Sequence, residues 1–140
     1  VFKRILVPID VTEPSSWARS IPVMVEIAQR DDAHVTLVSV LPMQQAIGLS
    51  LAPAMVILRM EQMEGELNAL RGRLVPPGVK TEVIVRQGSI YSEILSVARE
   101  QQVDLIVMAS HRPEMKDYLI GTNAARVVRH AACSVLVVRD

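Results

Sequence analysis

The chain has 140 residues, half of them hydrophobic, with 15 Lys and Arg against 15 Asp and Glu and a formal net charge of zero. That length predicts one domain over residues 1–140, with a core that needs neither metals nor disulfides. The even charge, without a polybasic or polyacidic run, argues against a nucleic-acid groove or a membrane-surface patch, and the lone Cys133 excludes an intrachain disulfide and a cysteine-rich zinc site.

The four aromatic residues are Phe2, Trp17, Tyr91 and Tyr118. The core must therefore be aliphatic, which suits parallel strands covered by helices. No apolar run reaches transmembrane length. In the opening VFKRILVPID, Pro8 and Asp10 interrupt the apolar stretch before a signal-peptide core could form. A reduced, cytoplasmic setting is expected.

Strand and helix signals alternate along the chain. Arg4 to Ile9 reads as a first strand ending at Asp10. Thr12 to Pro14 reads as a helix start, with Thr12 as a cap and Pro14 in the first turn. Trp17, Ile21, Met24, Val25 and Ala28 then recur at helical spacing. Pro22 interrupts that pattern, predicting either a kink or a later effective start.

His34 to Leu41 is the second strand, and Pro42 to Pro53 a long loop of the kind often tied to function. Val56, Met60, Met63, Leu67, Leu70 and Leu74 then mark the clearest helix, ended by Pro76-Pro77-Gly78. Its methionines read as core filling. Val79 to Arg86 alternates, with Val79, Thr81, Val83 and Val85 on one face and a mostly polar second face, as an edge strand would. Gly88-Ser89 marks a turn and cap before a helix on Ile90, Ile94, Val97 and Ala98. Leu105 to Ser110 is the fourth strand, Thr122 to Ala131 a short helix, and Ser134 to Arg139 the last strand. Strands separated by helices make right-handed parallel crossovers. The fold class is therefore α/β, a single doubly wound five-stranded parallel sheet with helices on both faces.

Ligands of such sheets bind beyond the carboxyl ends of the strands, where the strand order reverses. Strands one and four are the most apolar pair. As neighbours across the reversal they would bring Pro8, Ile9 and Asp10 beside Met108, Ala109, Ser110 and His111. A nucleotide suits these ends. Asp10 can accept from ribose hydroxyls, and backbone groups near Val40 can pair with an adenine edge between apolar side chains. Gly121 permits close approach to phosphate, and the helix start offers Thr122, Asn123 and Ala124 N–H groups with the Thr122 hydroxyl.

Plainer readings stand beside these. Asp10 also fits an ordinary strand end, and Gly121-Thr122 an ordinary turn and cap. His111 also fits a solvated loop, and Arg112 either phosphate pairing or solvent. His34 reads as a strand start, and His130 as a complement to a helix C-terminus. The dinucleotide, P-loop and nucleophile-elbow motifs are absent from the sequence, and no complete catalytic set is present.

ILVPID at the start, VTLVSV in strand two, GS at 88–89, DLIVMASHR in strand four and GTNAARVVRHAACSVLVVR at the end occur in a specific order. Through them nearly the whole chain resembles the universal stress protein family, and the ASHRP form with its IGTN continuation resembles the F/G-like bacterial branch. The resemblance implies strand order 3-2-1-4-5, adenine-nucleotide binding and a homodimer. Position by position it implies a ribose contact at Asp10, an adenine-pairing strand end at Val40 and a phosphate contact at Gly121 with Thr122. ATP-binding members carry Gly-x-x-Gly, nine residues, then Gly-[Ser/Thr]. Here Ala109 and Arg112 stand in place of the two glycines, and eight residues, Pro113 to Ile120, precede Gly121. Arg112 either adds a charge partner for phosphate or occludes the pocket.

The last strand, SVLVV, is apolar on both faces and falls at an edge in that order, which predicts pairing with a second copy through Ser134 to Arg139. The alternative is cover by the preceding loop. The expected function is an ATP-binding stress-response sensor or switch, with Mg²⁺ at the phosphates. The alternatives are a dimeric interaction module with a degenerate pocket, and a slow ATPase or self-phosphorylating protein using Ser110 and Thr122.

Overall fold

Five strands, β1 (Arg4–Pro8), β2 (His34–Pro42), β3 (Thr81–Gly88), β4 (Leu105–Ala109) and β5 (Ser134–Val138), form one parallel sheet in the order β3-β2-β1-β4-β5. The computed structural model describes residues 1–42, 53–110 and 121–139. Apart from its two ends, the expected loop from Pro42 to Pro53 lies outside the described residues. The helices among them are α1 (Ser20–Asp31), α2 (Pro53–Leu74), α3 (Ile90–Glu100) and α4 (Thr122–His130), with a short 3-10 turn at Pro14–Ser16.

Alternation along the strands builds two cores. Ile5 and Val7 of β1, Val35 and Leu37 of β2, and Leu105 and Val107 of β4 face α1 and α2. Leu6, Val38, Ile106 and Met108 face α3 and α4. Helices thus cover both faces, and the central strands are buried on both sides, as their unbroken apolar runs require.

Three local expectations are corrected. The first helix does not start at Thr12. The Thr12 N–H and hydroxyl both donate to Asp10 Oδ1, at 2.9 and 2.7 Å, so Thr12 serves a turn rather than a helix cap. The 3-10 turn follows, and α1 begins at Ser20, the later start that Pro22 made one of two options. Pro22 is the third residue of α1, in the first turn, where proline is tolerated. Next, β3 begins at Thr81 rather than Val79. Val79 N–H donates to Pro76 O at 3.0 Å, closing the turn of the Pro-Pro-Gly segment, so Val79 still belongs to that turn. Finally, Leu74 is exposed, and Val75 takes its place in the core.

β3 is an edge strand, as its polar face predicted, and Arg86 pairs there with Glu100 of α3. It ends at Gly88, whose φ of +145° is one that residues with side chains rarely adopt. That glycine lets the chain turn directly into Ser89 and α3.

Candidate functional site

β1 and β4 are hydrogen-bonded neighbours, but their pairing runs only from Ile5↔Leu105 to Leu6↔Ile106. On its other side β1 stays paired with β2 as far as Pro8↔Val38. Pro8 gives the reason. Ile9 N–H donates to Val38 O on the β2 side at 2.8 Å, so the position before it would donate toward β4. Proline has no N–H to give there. The two central strands therefore part at their carboxyl ends, at the switch point, and a cavity of about 260 Å³ opens between them.

Ten of the predicted residues line this cavity. Pro8, Ile9 and Asp10 come from the end of β1, Val40 from β2, and Met108, Ala109 and Ser110 from the end of β4. Gly121, Asn123 and Ala124 come from the start of α4. Thr122 is exposed and is not part of the wall. His111 and Arg112 lie outside the described residues.

Local bonding fixes the Asp10 corner. Its N–H donates to Ser16 Oγ at 3.0 Å, and Ser16 Oγ lies 2.9 Å from Asp10 O. Thr12 occupies Oδ1, while Oδ2 has no hydrogen-bond partner among the described residues. Ile9 O is held by the buried Ser39 hydroxyl at 2.7 Å. The carboxylate is thus oriented from behind, with acceptor capacity left on one oxygen.

The α4 corner is built from backbone. The first bond of the helix is Ala125 N–H to Gly121 O at 2.9 Å. The N–H groups of Thr122, Asn123 and Ala124 therefore precede the intrahelical ladder, and no side chain among the described residues caps them. Gly121 is buried with φ −59° and ψ 151°, a conformation open to any residue. Its dihedrals do not call for glycine. It lies on the cavity wall, at the start of α4.

The sequence reading missed other parts of the wall. Val38, Ile90 and Ile94 extend the apolar slot below Val40 and Met108, and all pack in the α3 and α4 core. The turn from Val11 to Ser16 contributes Glu13. α2 contributes Met63 and Arg59. The signal for Arg59 was available. It lies four residues before Met63, so it borders the apolar stripe rather than the opposite face. No group of three or more His, Cys, Asp or Glu able to hold a metal occurs among the described residues. No helix among them is long and apolar enough to cross a membrane.

Two residues outside the cavity have plain structural roles. His34 opens β2, its N–H donating to Lys3 O at 2.9 Å. His130 ends α4, its ring 6.1 Å from Tyr91, over which the Arg126 guanidinium lies at 5.0 Å. Cys133 is half-buried, and desolvation raises its thiol pKa, which disfavours the reactive thiolate.

A model of the universal stress protein family matches residues 2–139. Universal stress protein G of Shigella flexneri is 32% identical over 145 residues, covering 99% of this chain and all of the relative. That relationship fits the F/G-like branch. Universal stress protein UspA from Lactobacillus plantarum superposes with a TM-score of 0.71 at 24% identity, over 98% of this chain and 97% of that one. A universal stress protein crystallised in complex with cAMP gives a TM-score of 0.66 at 21% identity, over 99% and 97%.

Proposed function

The chain belongs to the universal stress protein family, and from that premise we propose that it binds ATP as a cytoplasmic stress-response sensor or switch. One observation carries the reading. A single cavity combines an apolar slot, a half-engaged carboxylate at Asp10 and an uncapped helix start behind a side-chain-free Gly121. Those are the chemistries of a base, a ribose and a phosphate group. The slot of Val38, Val40, Ile90, Ile94 and Met108 takes the adenine. Asp10 accepts from the ribose, and the N–H groups of Asn123 and Ala124 meet phosphate. The cavity volume, about 260 Å³, supports a ligand of nucleoside size with its phosphates toward the opening.

Mg²⁺ fits as a companion of the phosphates rather than as a resident ion. Such an ion needs only one or two carboxylates besides phosphate oxygens, and Asp10 and Glu13 line the cavity. It would neutralise phosphate charge beside those carboxylates. Homodimer formation through β5 completes the proposal. β5 is an edge strand, and Leu136 on it is 38% exposed.

The test is equilibrium titration with ATP and Mg²⁺, together with mass spectrometry of small molecules that co-purify. Saturable binding of one adenine nucleotide per chain is expected, and a flat titration rejects the reading. Ala109 favours a second reading, an interaction module with a degenerate pocket. Its methyl stands on the wall at the position where the Gly-x-x-Gly pattern of the resemblance has its first glycine. Partner binding that is indifferent to nucleotide would support that reading instead.

A further inference from the structure

Among the described wall residues, Asp10 and Glu13 carry negative charge and Arg59 carries the one positive charge. The Arg59 side chain is only 26% exposed. Its nearest charged partner is Glu66, two turns along α2, at 3.6 Å, and Glu66 is half-exposed. That separation is too long for a hydrogen bond, and an ion pair to a half-exposed partner is weak. Arg59 makes no hydrogen bond among the described residues. A guanidinium with five donors thus sits on a cavity wall, with no hydrogen bond to the described residues.

Its place in the fold indicates what it would meet. α2 packs over β2 and β3, whereas α4 packs against α3 and β5. The two helices cover opposite faces and opposite halves of the sheet. Arg59 and the α4 start therefore flank the crevice at a distance of at least two strand spacings, on the order of 10 Å. Asp10, at the tip of β1, stands between them. A 5′-phosphate chain running from a ribose at Asp10 to α4 moves away from Arg59. An anionic group that reaches Arg59 must leave the sugar from its other edge.

We propose that Arg59 is a second anion contact, selecting adenine nucleotides that carry phosphate on one of the 2′ and 3′ oxygens of the ribose in addition to the 5′ position, while the remaining hydroxyl donates to Asp10. The proposal rests on the nucleotide reading above. A charge-assisted, forked contact from a largely buried arginine supplies discrimination of about tenfold or more.

The experiment compares adenosine, AMP, adenosine 2′,5′-bisphosphate and adenosine 3′,5′-bisphosphate by calorimetric titration. The proteins are the wild type, Arg59→Gln, Arg59→Lys and, as a control on the exposed end of α2, Arg73→Gln. The wild type should bind at least one bisphosphate about tenfold or more tighter than AMP. Arg59→Gln should abolish that preference, weakening the bisphosphates by at least about tenfold more than it weakens AMP. Arg59→Lys should keep part of it, and Arg73→Gln all of it. Equal wild-type affinity for AMP and both bisphosphates overturns the proposal while leaving the nucleotide reading intact. So does a preference that survives in Arg59→Gln. Loss of adenosine binding in Arg59→Gln would place the guanidinium on the base and also overturn it. No binding of any compound by the wild type removes the nucleotide reading along with the proposal.

Discussion

The α4 flank of the cavity presents backbone, whereas the α2 flank presents a side chain. At α4, a bare glycine and the first turn of a helix present N–H groups whose positions follow from the fold itself. At α2, a long cation reaches the wall from a helix held by Met63, Leu67 and Leu70. A backbone site is rigid and tolerant of sequence change elsewhere. A side-chain site depends on the packing that holds its helix and is open to tuning by one substitution. The two flanks should therefore fail differently when disturbed.

The largest expected effect is on the packing of α2. Leu67 is fully buried against the α1 and α2 core, and Leu67→Ala should lower unfolding free energy by about 2–5 kcal/mol. Chemical denaturation measures it, and a loss under about 1 kcal/mol would show that α2 is not anchored there. At the other flank, Gly121→Asp places a carboxylate where phosphate should approach. ATP affinity should fall by about a hundredfold or more, with the thermal midpoint little changed. Unaltered ATP affinity would remove α4 from the site.

Between the flanks, Asp10→Asn keeps an acceptor for Thr12 but weakens the ribose contact. AMP affinity should drop by about tenfold, while a 2′,3′-dideoxy analogue, without the hydroxyls, should be unaffected. An equal loss for both compounds would mean that Asp10 does not meet the ribose.

The smallest effect lies at the opposite end of the sheet and serves as a control for both flanks. Asp31 accepts a hydrogen bond from Arg30 and another from Phe2 N–H, and these hold its carboxyl well below the usual carboxylate range. A carboxyl pKa depressed by folding contributes stability above its unfolded value of about 4. That contribution is lost as pH falls through the folded value. Asp31→Asn should therefore lower the thermal midpoint at pH 7, by an amount that shrinks below about pH 4, and leave nucleotide affinity unchanged. A midpoint difference that does not vary with pH would contradict this account.

The strands were readable because each carries its own evidence. Apolar runs at Arg4 to Ile9 and Leu105 to Ser110 admit little besides buried parallel strands, and both lie within a residue of where they were expected. The α4 flank was readable too, because Gly121, Asn123 and Ala124 are contiguous with the helix they start. Thr12 misled because two local structures compete for its hydroxyl. An Asp two residues earlier, itself a turn former, took it before a helix could. Leu74 misled because it continues the apolar stripe in sequence, whereas Val75, the residue just after α2, takes the core position.

The residues alone determined the alternation of strands and helices and which segments are buried on both faces. They also placed a carboxylate and a helix start at strand ends. These follow from local rules of period, capping and backbone geometry. Only the tertiary structure decided that α2 and α3 would lend Arg59, Met63, Ile90 and Ile94 to the same cavity. Each parallel crossover returns the chain to the sheet only after a helix has passed over one face. Residues tens of positions apart then meet at one carboxyl edge, and no local pattern in the chain encodes that meeting.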